Sequence, residues 1–182
     1  MDSAARRPVI VWALHDRHAL SSGAAGARAN WLAAIRRYLV ATAIGNLVWE
    51  TAQLPLYSLW RTGTPNEIAA ALFHCWLGDV VIAAVVLVLA LALFAAPAWP
   101  REKFRPVLGA VLAGSVGYTI YSEYVNAVLR TSWTYSSWMP TLPVLGTGLA
   151  PLAQWVVVPV LAITWAARRR RRPALSAEDG NR

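Results

Sequence analysis

Four ionisable side chains able to exchange protons or hold a cation, Glu50, His74, Asp79 and Glu123, sit inside long apolar stretches of the chain. A charge at bilayer depth costs at least about 2.5 kcal/mol on insertion scales, so groups kept there usually mark function. Their neighbours are patterned. Asn46, Glu50, Gln53 and Tyr57 fall at i, i+4, i+7 and i+11, which makes one polar stripe on an otherwise apolar helix. Thr119, Glu123, Asn126 and Arg130 repeat the device, and Gln154 lies between Pro151 and Pro159. Cys75 and Asp79 share a helical face, whereas His74 and Asp79 stand about 140° apart on an ideal helix.

Three chemistries fit these residues. Carboxylates and an imidazole converging in a bilayer suit a proton relay or a cation passage, because burial lets each exchange a proton. On that reading Glu50, His74, Asp79 and Glu123 are also the candidate metal ligands. No His-x-x-x-His, Cys-x-x-Cys or Glu-x-x-His pair is present to build a tight metal site, and no cofactor is indicated. The second chemistry is acid/base catalysis on a lipid or isoprenoid. A buried acid would donate a proton, a neighbouring carboxylate or His74 would accept one, and Trp49, Trp76, Tyr121 and Tyr124 would steady a carbocation. In the third, the chain is an accessory or assembly subunit. Pairs such as Glu50 with Asn126, or Asp79 with Gln53, would then act as interhelical glue at roughly 0.6 kcal/mol each. Charge counts against pure glue. Three carboxylates with no Lys or Arg in the apolar stretches need protons, a bound cation, or Arg61 or Arg130 reaching down. Ligand contacts are expected from Asn46, Gln53, Tyr57, Asn126, Gln154, Trp49, Trp76 and Tyr121.

The elements that would position these groups follow from composition. Of 182 residues, 57% are apolar and 14% charged, with a mean hydropathy of +0.43, too oily for a soluble domain of this size. That excludes a soluble enzyme and a disordered tail. Cutting the chain at its charges leaves stretches of about 20 residues or more, each able to cross a hydrocarbon core of roughly 30 Å. The expected fold is all-α: an up-down-up-down bundle of four transmembrane helices over 38–60, 68–95, 107–129 and 147–167. A lead of residues 1–33 precedes this 34–167 unit, and a basic tail of 168–182 follows it. Gly63, Pro65 and Asn66 break the first connection, and Pro97, Pro100 and Pro106 the second.

The net charge of +8 would suggest nucleic acid in a soluble chain, but its distribution gives topology instead. Fifteen of the seventeen basic residues, all but Arg61 and Arg130, fall on one side of the four stretches. Positive residues stay inside, which predicts an inner-membrane protein with both termini cytoplasmic. Arg168 to Arg172 is read as an anchor at anionic lipid headgroups rather than a nucleic-acid site. Pro8 to Leu14, stopped by His15-Asp16-Arg17-His18, is too short for an export segment and predicts at most an interfacial turn around Trp12. Cys75, the one cysteine, excludes an internal disulfide framework.

Counting 1.5 Å per residue from the outer ends puts Glu50 and Asp79 about 15 to 16 Å down, near the midplane. The same count puts Gln53, His74, Glu123 and Gln154 roughly 9 to 11 Å down. The expectation is a cavity opening outward, with two acids at its floor and a His-Glu-amide ring above. The aromatic connection from Arg130 to Gly146 is either a belt at the headgroups or a lid over that mouth. Gly109-Ala113-Gly117 and Ala110-Gly114 space small residues four apart, which suits helix contact within the chain, in a homodimer or in a larger complex. In general plan, four spans with acids and a histidine facing an apolar pocket resemble the emopamil-binding-type sterol isomerases.

Overall fold

The computed structural model describes residues 8–97 and 99–168. The chain is helical, and no strand occurs among the described residues. Helix α1 runs over Pro8–Gln53, the single turn α2 over Leu59–Thr62, α3 over Pro65–Phe94, α4 over Phe104–Glu123 and α5 over Leu149–Ala167. A π-helix, Tyr124–Leu129, extends α4. The four long helices pack in a ring: α1 touches α3 and α5, and α4 touches the same two. Two of them, Pro65–Phe94 and Leu149–Ala167, are long and apolar enough to cross a membrane. The other two, α1 and α4, carry the polar stripes, which lowers their hydropathy.

The helix ends have local causes. Thr64 and Glu67 close a capping box on α3, with the Glu67 carboxylate accepting from the Thr64 amide at 2.8 Å, and Pro65 fills a first-turn position that needs no N–H. The first stretch stops short of the expected residue 60. Pro55 has no amide to give the helix, so α1 ends at Gln53 and a 3-10 turn, Leu54–Leu56, takes over. No helix end falls at residue 33, where the lead is expected to give way to the first span. Helix runs unbroken from Pro8 through the alanine-rich segment, because no proline interrupts it and alanine is the best helix former. The side chain of Trp12 and the tail from residue 169 onward, with Arg169 to Arg172, lie outside the described residues.

Packing is tightest between α1 and α5. A Cβ on Gly45 would stand 2.9 Å from Val158 Cγ1, so only glycine lets these two backbones approach so closely. At one end of the ring the Trp31 indole donates to the Pro97 carbonyl at 3.2 Å, and Arg37 donates to the Arg168 carbonyl at 2.9 Å. Outward faces are apolar: Val40, Ile44 and Val48 of α1, Phe73, Leu77, Val81 and Val85 of α3, and Leu161 and Trp165 of α5 are exposed. Gly109, Ala113 and Gly117 of α4 are exposed as well, and a Cβ on either glycine would meet nothing within 4 Å. Gly114 instead packs near Val86 of α3. The small-residue stripe therefore faces away from the rest of the chain.

Candidate functional site

Glu50, His74, Asp79 and Glu123, drawn from three helices, line one cavity of about 710 Å³. Gln53, Tyr57, Asn126 and Gln154 line it too, with Cys75, Gly78 and Trp133. Asp79 is nearly buried and Gln154 fully so. The Gln154 amide donates to Asp79 Oδ2 at 2.7 Å. Gln53 Nε2 donates to Glu50 Oε1 at 2.9 Å and lies 3.3 Å from Gln154 Oε1. Glu50 also lies within hydrogen-bond reach of Asp79. The two acids therefore lie close together, and the amides of Gln53 and Gln154 bond directly to them. One chain of bonds, Glu50 to Gln53 to Gln154 to Asp79, joins α1, α5 and α3.

Glu123 stands apart on α4. It accepts a hydrogen bond from the Tyr135 hydroxyl, and that hydroxyl in turn accepts from the Gly148 amide at 3.1 Å. Burial, with the neighbouring Glu123 as a second cause, pushes the Tyr135 phenol well above its ordinary value. The segment after the π-helix is fastened across the end of the ring. Ser58 N donates to the Thr134 carbonyl at 2.9 Å, and Ser136 N to the Leu56 carbonyl at 2.9 Å. Tyr57 and Tyr135 rings lie 5.6 Å apart, and Arg61 stacks on Trp138 at 5.0 Å.

These ties move the expected mouth. At this end of the ring the cavity is lined by half-buried Tyr57, Leu59 and Trp133. The exposed lining residues are Ala70 and His74 of α3, Tyr118 of α4 and Ser132 just past the π-helix. The cavity thus opens on the flank between α3 and α4, and His74 sits on its rim instead of in an inner ring. The 140° separation of His74 from Asp79 on the helix has this consequence: one residue faces inward, the other the opening.

Other expected contacts fall elsewhere. Trp76 donates its indole N–H to the Ala43 carbonyl at 2.8 Å, joining α3 to α1. Trp49 is half-buried and Tyr121 is 65% exposed, both outside the cavity lining. Asn46 is fully buried below the cavity. Tyr118, a turn before Ser122 on α4, takes the place expected of Tyr121. It was recognisable from sequence as a residue five before Glu123, but it sits off the polar stripe. Neither Arg61 nor Arg130 reaches the carboxyls, and no Lys or Arg is found among the described residues that line the cavity. Among the described residues, no three His, Cys, Asp or Glu side chains are grouped to hold a metal ion, so Glu50, His74, Asp79 and Glu123 do not form a ligand set.

Set against protein-family models, curated proteins and solved structures, the chain matches none of them.

Proposed function

We propose that this chain is a four-span inner-membrane protein, with α1, α3, α4 and α5 as the spans and both ends cytoplasmic. Its cavity would bind a membrane-dissolved apolar molecule and exchange a proton with it at the Glu50–Asp79 pair. The observation that carries the reading is the flank opening: an acid-floored cavity whose exposed rim is Ala70 and His74 of α3, Tyr118 of α4 and Ser132, beside the apolar outer face of α3. A water-borne ligand would be served by an opening at the end of the ring, but that end is roofed. A lipid-borne one reaches the flank by diffusion in the bilayer. The exposed apolar faces of α1, α3 and α5 support the membrane setting, because soluble monomers rarely expose apolar patches beyond a few hundred Å².

The chemistry follows from charge. Two carboxyls in contact, with no cation beside them, hold a proton between them and so combine a donor with an acceptor. Gln154 fixes one oxygen of Asp79, and the proton shared with Glu50 is the one offered to a substrate. Glu123 and His74 flank the pair as further proton acceptors on the route to the opening. A metal passage draws less support, since the four groups do not converge on one point.

Gly78 supplies the test. It lines the cavity, and a Cβ there would meet nothing within 4 Å, so a side chain can start from this position and Gly78→Leu takes up cavity space. Native mass spectrometry of the protein released from nanodiscs should show a discrete lipidic adduct on the wild type. The adduct should be lost in Gly78→Leu and kept in Asp79→Asn. A bare wild-type chain, or an adduct that survives Gly78→Leu, would overturn the proposal.

A further inference from the structure

Below the cavity floor α1 continues its polar stripe where a lipid-buried helix interior would ordinarily carry leucine. Tyr38, Thr42 and Asn46 follow one another at four-residue spacing and lead to Glu50, and none is more than 1% exposed. Ser115 and Thr119 do the same on α4 and lead to Glu123, at 0% and 4% exposure. The Thr119 hydroxyl is satisfied by the Ser115 carbonyl at 2.9 Å. Tyr38 and Thr42, one turn apart, lie within hydrogen-bond reach of each other. Both amide atoms of Asn46 and Ser115 Oγ are buried with no hydrogen-bond partner on the protein.

Three orphaned atoms on two residues, Asn46 of α1 and Ser115 of α4, sit inside one helical core, and packing does not account for them. Buried polar groups are nearly always paired, and in a bilayer no bulk solvent is at hand to pair them. A buried water typically makes about three hydrogen bonds to such groups. The surrounding core contains small side chains, Ala34, Ala83 and Ala162. The lower end of the stripe lies beside Arg37, whose guanidinium reaches the Arg168 carbonyl at the end of α5. The upper end is the acid pair.

We propose that this stripe holds a file of water molecules that conducts protons between the cytoplasmic end of the ring and the Glu50–Asp79 pair. A proton enters from cytoplasmic water, and at each step one O–H bond forms as the next breaks. It finishes on a carboxylate oxygen, so no oxidant, reductant or further reactant is required. Tyr38, Thr42, Asn46 and Ser115 are positioning residues for the file. The inference rests on the reading that the acid pair exchanges protons, and it names the source of those protons.

The test uses full-length protein in vesicles of defined orientation and follows the infrared band of protonated carboxyl, assigned by its loss in Asp79→Asn. A pH jump on the cytoplasmic side should change the band in the wild type. In Thr42→Val and in Ser115→Ala, both close in shape to the native residue, that response should slow by about tenfold or more, which is about 1.4 kcal/mol of barrier. The response to a jump on the opposite side should be unchanged, as should both responses in the outward-facing control Ile44→Val. Variants that respond as fast as the wild type would overturn the water file and leave the acid pair standing. A wild type with no protonated band would overturn both.

Discussion

The hydrogen bond from Gln154 to Asp79 gives the most direct measure of the site. It joins two buried side chains on different helices at 2.7 Å, within the range of a charge-assisted bond. Neutral polar pairs between membrane helices couple by roughly 0.6 kcal/mol on average, whereas hydrogen bonds to a charged group contribute about 1.5 to 3 kcal/mol. A double-mutant cycle built from Gln154→Leu, Asp79→Ala and the double variant isolates this bond, and the Gln53 contact to Gln154 at 3.3 Å is too long to dominate it. We expect a coupling of roughly 1.5 kcal/mol, read as reversible unfolding in bicelles by steric trapping. The same Gln154→Leu variant should lose proton exchange at the pair, because Asp79 then has no donor to fix its orientation. A coupling at or below about 0.6 kcal/mol would mean an ordinary neutral pair and would refute the reasoning that this amide steadies a charged or proton-sharing acid.

Other expectations follow from single contacts. Gly45→Ala puts a Cβ 2.9 Å from Val158 Cγ1; it should lower thermal stability by about 1 to 3 kcal/mol, and adding Val158→Ala should restore most of the loss. Tyr135→Phe removes the hydroxyl that bridges Glu123 and the Gly148 amide; hydrogen exchange across residues 130–148 should speed up by the equivalent of about 1 kcal/mol, while that of α3 stays unchanged. The folded chain holds the Tyr135 proton above the pH at which free tyrosine loses it, about 10, so attachment of this segment is full below that pH and weakens as pH rises past it. Glu123→Gln should bring the phenolate absorbance of Tyr135 to lower pH, though not to the free value, since burial is the larger cause. An unmoved titration would separate Tyr135 from Glu123.

Much of this site was legible because helical periodicity is rigid. Glu50 and Gln53, Asp79, and Glu123 could be placed on inward faces from spacing alone, and the structure brings them to one cavity. What spacing could not supply was the behaviour of the helix ends. Tyr57 reaches the cavity through a 3-10 turn set by Pro55 and not along the face of α1. Arg130 was placed on the Glu123 face by counting at 3.6 residues per turn. The helix widens to π geometry after Glu123, so the count fails from Tyr124 onward. Asn126 still lines the cavity, while Arg130 ends exposed. The flank opening was hidden for a different reason. It depends on a tie between two segments 76 residues apart, Ser58 and Thr134, and no local pattern in either segment announces that pairing.

The π-helix and the roof belong to one arrangement. A π-helix holds one more residue in its turn than an α-helix would, and such turns recur at functional sites. Here it follows directly on Glu123, so the backbone that leaves α4 is turned after that carboxyl is placed. Ser132 then donates its amide to the Asn126 carbonyl at 2.7 Å, and the chain enters the segment that delivers Tyr135 back onto Glu123. Removing the extra residue should therefore do more than shift a loop. Deleting Val128 would convert the turn toward α geometry, rotate everything beyond it by about 100°, and separate Tyr135 from Glu123 while α1, α3 and α5 remain packed. If the roof is what confines the opening to the flank, the deletion variant should admit a water-soluble, membrane-impermeant thiol reagent to Cys75, which lines the cavity half-buried. Wild-type Cys75 should react with a lipid-soluble maleimide but not with that reagent. Equal reaction of the wild type with both would show that water reaches the cavity from the end of the ring, and the membrane-dissolved substrate would lose its main support.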